Sequence, residues 1–156
     1  MDRIFNKIKR GQKAVILGIG NRLKGDDAVG SIIAEKLKEK IKNDNLLIID
    51  AENKPENYIG IINKFSPSFI LIIDAIDFKS SPGDFKIFTI DQLKDTTIST
   101  HNFSLPFFKK LLGNIEIYIL GIQVEKIEMD EKISQSVSKT IEKIFKIFSK
   151  FLTSTN

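Results

Sequence analysis

The sequence has no cysteine, no tryptophan and a single histidine among its 156 residues. Zero cysteines exclude a disulfide scaffold, Cys-ligated zinc, an iron–sulfur cluster and thiol catalysis. One histidine confines any imidazole chemistry to His101. Long apolar runs are also missing: the stretch 69–73 is five residues, against the ~20 needed to span a bilayer. The basic stretch Arg3, Lys7, Lys9, Arg10 and Lys13 is not followed by the apolar core of an export signal, so a cytoplasmic location is expected. Three motifs are absent as well: G-x-S-x-G, G-x-x-x-x-G-K-[ST] and H-E-x-x-H. Their loss argues against a serine hydrolase elbow, a phosphate-binding P-loop and a zinc helix.

What the chain does contain is 42% hydrophobic, 9% aromatic and 28% charged residues, enough apolar material for an ordinary core. The length predicts one α/β domain over 1–156, with 1–12 as a basic N-terminal extension to which no role is assigned. The net charge of +4 speaks to solubility, so no nucleic-acid or membrane partner is expected, and a monomer is the default.

Hydrophobic periodicity alternates along the chain. Residues 14–19, 46–51, 69–73 and 115–122 are continuous apolar runs that read as buried strands, and 85–90 follows a Ser-Ser-Pro-Gly turn as a weaker one. Residues 28–41, 55–65, 105–112 and 130–152 carry apolar positions at helical spacing. The last of these could lie on a membrane surface, but such a face more often packs on a sheet. Continuous apolar strands between amphipathic helices imply a three-layer α/β/α fold. Its sheet should be twisted and mostly parallel, with about five strands and helices on both faces.

Open α/β sheets bind ligands at the carboxyl ends of their strands. That rule selects Gly18-Ile19-Gly20 through Asp26-Asp27 after the first strand, Asp74 and Asp77 after the third, and His101 before the 105–112 helix. The glycine loop lacks the third glycine of a dinucleotide fingerprint, since Leu23 stands there, and two aspartates sit where a phosphate would go. Asp26 or Asp27 could cap the following helix; capping needs one carboxylate and leaves the other free. Asp74, closing five apolar residues, needs a partner or a metal, and a satisfied structural aspartate accounts for it as well as a ligand does. Asp27, Asp74 and His101 together would form a two-carboxylate, one-imidazole set suited to Ni, Zn, Cu or Fe, with positions left open. A two-aspartate peptidase using Asp27 and Asp74 is also compatible, but leaves His101 idle.

The stretch Gly18-Ile19-Gly20-Asn21-Arg22-Leu23-Lys24-Gly25-Asp26-Asp27-Ala28-Val29-Gly30 closely resembles the N-terminal signature of the hydrogenase maturation endopeptidases. Pro55-Glu56-Asn57, Ile73-Asp74-Ala75 with Asp77, Pro82-Gly83, Thr100-His101-Asn102 and Leu120-Gly121-Ile122-Gln123 match further, in the family's order. The resemblance implies a phosphorylase/hydrolase-like fold and an aspartic-type endopeptidase. Its partner would be the large-subunit precursor of a NiFe hydrogenase, whose C-terminal extension it removes after nickel insertion. It also implies that Asp27, Asp74 and His101 are catalytic and recognise nickel, the metal coming with the substrate rather than residing in the enzyme. The family's Asp-Gly-Gly after the second strand is here Asp50-Ala51-Glu52, which stiffens the backbone and adds a carboxylate near the cleft. Two mechanisms follow: nickel, or a water it polarises, drives hydrolysis as a Lewis acid, or nickel only docks the substrate while Asp77 or Asp26 acts as general base. The alternative class is a non-catalytic checkpoint or chaperone domain that binds the metalloprotein without cutting it.

Overall fold

Val, Ile and Leu in unbroken runs favour strands buried on both faces, and the chain forms them where the runs fall. A computed structural model describes residues 1–93, 97–98, 104–130 and 132–153, so His101 lies outside the described residues, as does the candidate helix start near Asn102. The strands are β1 (Ala14–Gly18), β2 (Leu46–Asp50), β3 (Phe69–Asp77), β4 (Phe85–Thr89), β5 (Thr97–Ile98) and β6 (Glu116–Gln123). The helices are α1 (Asp2–Lys9), α2 (Val29–Lys40), α3 (Ile59–Phe65), α4 (Leu105–Leu112) and α5 (Gln135–Leu152). Short 3-10 turns, Gly25–Ala28 and Pro55–Tyr58, lead into α2 and α3.

The strand order is β2-β1-β3-β6-β4, with β5 pairing along β3. β2, β1, β3 and β6 run parallel, whereas β4 and β5 are antiparallel to β6 and β3. Side chains alternate across the sheet and build two cores. Ala14, Ile16, Phe69, Leu71, Ile73, Leu120 and Ile122 meet α1, α2 and α5 on one face. Val15, Leu17, Ile70, Ile72, Ile76, Ile117 and Ile119 meet α3 and α4 on the other. The expected three-layer α/β architecture is therefore observed.

Two local expectations need correction. The third strand does not close at Asp74: β3 runs on to Asp77, and Asp74 pairs with Gly121 inside the sheet. Continued pairing with β6 and the added β5 satisfy the backbone there, so a carboxylate is accommodated without ending the strand. The final helix starts at Gln135 rather than near residue 130, because the Ser134 hydroxyl accepts from the Val137 N–H and fixes the N-cap. Its apolar face packs on the sheet and α2, burying Val137, Ile141, Ile144 and Phe148.

The basic N-terminal segment also has a structural job. Ile4, Phe5 and Ile8 of α1 are buried; Phe5 stacks on Phe151 at 4.7 Å and meets Phe148 edge-on at 5.1 Å. Lys7 bonds Glu116 of β6 and lies over the rings of Phe69 and Tyr118. No helix among the described residues is long and apolar enough to cross a membrane.

Candidate active site

The site forms where β1 ends and β3 continues. β1 stops at Gly18, opposite Ile73, and the Ile19 N–H donates to the Ile73 carbonyl at 2.9 Å. Asp74 is thus the first residue of β3 beyond the end of β1. It shares its register with Ile70, Ile72 and Ile76, on the α3/α4 side, is buried, and its Oδ1 accepts from the Ala75 N–H at 2.8 Å.

Glycines let the loop after β1 fold down onto this edge. A Cβ at Gly20 would stand 2.2 Å from the Asp27 carbonyl oxygen, and one at Gly30 would stand 2.1 Å from the Ile73 carbonyl oxygen. These backbones touch, so the Gly25–Ala28 turn carrying Asp27 is pressed against β3, the strand carrying Asp74, where β1 ends. Gly25 itself has φ +49°, a left-handed conformation suited to glycine. The glycines therefore serve close packing more than they serve a phosphate, and Leu23, where a dinucleotide loop needs glycine, projects 62% exposed.

The adjacent aspartates point to different partners, and neither caps α2 through its side chain. Asp26 is fully buried. Its carboxylate accepts from the N–H groups of Glu125, Lys126 and Ser134 and from the Ser134 hydroxyl, at 2.7 to 2.9 Å. It ties the turn to the connection between β6 and α5. Both oxygens are engaged and shielded, so Asp26 is ruled out as the general base that the sequence left open.

Asp27 is 3% exposed. Its Oδ2 accepts from the Asn21 N–H at 3.1 Å, whereas its buried Oδ1 has no hydrogen-bond partner among the described residues. A buried carboxylate oxygen without a donor is costly and is normally avoided. Such an oxygen suits a cation arriving from outside, and oxygen donors accept most divalent metals. Among the described residues no group of three or more His, Cys, Asp and Glu is clustered for a metal; Asp27 and Asp74 share one edge, and the third expected member, His101, lies outside the described residues.

Asp77, the remaining base candidate, lies farther along β3. It pairs with Lys79 at 3.0 Å and accepts from the Gln123 side chain at 3.2 Å. Hydrogen bonds from the Lys79 side chain and backbone hold its carboxyl below the usual range, which keeps it ionised but weakens it as a base. Gln123 also accepts from the Phe78 and Ser80 N–H groups, so this residue of the Leu-Gly-Ile-Gln motif organises the end of β3.

Sequence reasoning missed a polar cluster beside the Asp27 loop. Arg22 donates from Nε to the Ser31 hydroxyl at 2.9 Å, from Nη1 to Glu35 at 3.0 Å and from Nη2 to Asp50 at 2.8 Å. The Ser31 hydroxyl in turn donates to Asp50 at 2.6 Å. Burial opposes the Arg22 charge, but the bonds to Asp50 and Glu35 prevail and raise its already high pKa. The only sequence signal was an arginine in the glycine loop and an aspartate ending β2.

Comparison with known proteins supplies the chemistry class. Residues 32–150 match the family profile described as hydrogenase maturation protease (HycI). The hydrogenase 3 maturation protease of Escherichia coli is 32% identical over 136 residues, covering 84% of this chain and 85% of that one. A Methanocaldococcus jannaschii protein provisionally named a hydrogenase maturation protease is 36% identical, covering 94% of each. The crystal structure of a NiFe hydrogenase maturation protease from Thermococcus kodakarensis superposes with a TM-score of 0.83 at 30% identity, over 97% of this chain and 99% of that one. With a family profile spanning most of its length and relatives this similar end to end, the chain belongs to the hydrogenase maturation proteases.

Proposed function

We propose that this protease removes a C-terminal extension from the large-subunit precursor of a NiFe hydrogenase, reading the nickel already inserted there through Asp27, Asp74 and His101. The observation that carries the reading is the buried Oδ1 of Asp27, without a partner among the described residues, on the edge where Asp74 is also held. Nickel is part of the substrate in this account, so the protein side needs open donors rather than a closed resident site. A carboxylate oxygen left without a donor supports that requirement, and imidazole from His101 would supply the borderline-soft ligand nickel favours.

Once engaged, the precursor's nickel would supply Lewis-acid polarisation of the scissile carbonyl or of a water. The protein's own contribution is positional. The Asn21 N–H fixes one oxygen of Asp27, the Gly20 and Gly30 contacts hold its turn against β3, and Asp26 locks that turn to the 124–134 connection. If nickel only docks the substrate, Asp77 remains the base candidate, with its weak basicity against it.

Processing of a nickel-loaded precursor by the His101→Ala and Asp74→Asn variants tests the reading. Both should bind or cut at least 100-fold less well while staying folded. Cutting at the normal rate by either variant removes that residue from the site. Tight binding by the unmodified protein without cutting would turn the assignment to a checkpoint role.

A further inference from the structure

We infer that Arg22 is a positioning residue for Asp27, acting through the Asn21 amide; this rests on the reading of Asp27 as the substrate-facing carboxylate. Arg22 directly follows Asn21, whose N–H is the one hydrogen-bond donor to the Asp27 carboxylate among the described residues. Its guanidinium is spread over three acceptors on two elements: Ser31 and Glu35 of α2, and Asp50 at the end of β2.

The geometry closes a ring. Arg22, Ser31 and Asp50 each bond the other two, through contacts of 2.9, 2.8 and 2.6 Å. Asp50 also accepts from the Glu52 N–H at 3.2 Å, and the Glu52 carbonyl accepts from the Gly20 N–H at 2.8 Å. The loop bearing Asn21 is therefore fastened on both sides: by Gly20 to the segment after β2, and by Arg22 to α2 and β2. Glu52 holds φ +49° within that fastening, a conformation unfavourable for a residue with a side chain. Surface ion pairs usually contribute little to stability, and Arg22 is 36% exposed, so stability alone is a poor reason for committing three of its donors. A fixed direction for the Asn21 N–H is a better one. It orients Oδ2 and leaves Oδ1 turned to the site, and a planar fork achieves this where a lysine ammonium would not.

The test compares Arg22→Ala, Arg22→Lys, Asp50→Asn and Glu35→Gln with Asp27→Asn in the full chain. Three readings are taken: kcat/KM on nickel-loaded precursor, hydrogen exchange at the Asn21 amide, and thermal midpoint. Arg22→Ala and Asp50→Asn should lose at least tenfold in kcat/KM and speed Asn21 exchange at least tenfold, while exchange in β3 and β6 is unchanged. Arg22→Lys should resemble Arg22→Ala, and Glu35→Gln should stay within about threefold of the unmodified protein. If Asp27→Asn is inactive but Arg22→Ala cuts within twofold of normal, or leaves Asn21 exchange unchanged, the positioning role is overturned. If Asp27→Asn cuts normally, the reading of Asp27 beneath it fails first.

Discussion

The Asn21 amide holds one oxygen of the Asp27 carboxylate at 3.1 Å and leaves the other buried with no partner among the described residues. An arrangement of this kind lowers stability locally and has to be supported by the rest of the fold. Replacing Asp27 by Asn removes a poorly compensated buried charge while keeping an acceptor for Asn21. The variant should unfold within about 1 kcal/mol of the unmodified protein, or at higher denaturant, while losing at least 100-fold in processing. Urea titration beside a cleavage assay checks both halves. A loss of several kcal/mol would mean that the carboxylate is structural.

Asp26 should behave in the opposite way. Three amides and a hydroxyl from residues 125–134 converge on it in a fully buried setting. Asp26→Ala strands those donors, and each unsatisfied group costs about 1–3 kcal/mol. A loss of about 3 kcal/mol or more is expected, read as a lower urea midpoint. A change below 1 kcal/mol would show that water replaces the carboxylate readily.

Glu52 occupies a left-handed conformation with φ +49°, and its carbonyl still accepts from the Gly20 N–H. Glu52→Gly relieves a strain of about 1–2 kcal/mol, offset in part by the greater freedom of glycine when unfolded. The variant should gain about 0.5–1 kcal/mol, with the gain visible in denaturant melts. A loss instead would indicate that the Glu52 side chain makes a contact worth more than the strain.

Docking of α1 against the sheet face should be acid-sensitive. Lys7 and Tyr118 both bond Glu116, and the Lys7 hydrogen bond is the main reason its carboxyl sits below the usual range. A depressed folded-state pKa gives stability that is present above the ordinary glutamate range. That stability is lost as pH falls through the lower folded value. Glu116 is 44% exposed, so the effect is modest. Glu116→Gln should flatten the stability profile below about pH 4.5 and leave the slope at neutral pH alone. An unchanged acid limb would place the acid sensitivity elsewhere.

Most of the layer architecture was legible because β1, β3 and β6 are continuous apolar runs and α2 and α5 keep their apolar residues on one face. Asp74 was legible as a candidate site residue but not as a mid-strand one. Pairing with β6 beyond the end of β1 is a long-range fact that a run of five apolar letters does not contain. Asp26 and Asp27 are indistinguishable as letters; what separates them is a set of donors about 100 residues away. In α1 the basic residues obscured Ile4, Phe5 and Ile8, whose burial depends on Phe148 and Phe151 at the other end of the chain. The Arg22–Ser31–Asp50 ring was not legible for the same reason, since its members come from a loop, a helix and a strand end.

The central claim is that Asp27 reads nickel in the substrate before the peptide bond is cut. Intact mass of a hydrogenase large-subunit precursor tests it directly, with nickel-loaded and nickel-free forms incubated with the unmodified protein and with Asp27→Asn. The account predicts loss of a C-terminal peptide only when nickel and the unmodified protein are both present. Equal cleavage of the nickel-free precursor, or cleavage by Asp27→Asn at the normal rate, would contradict it.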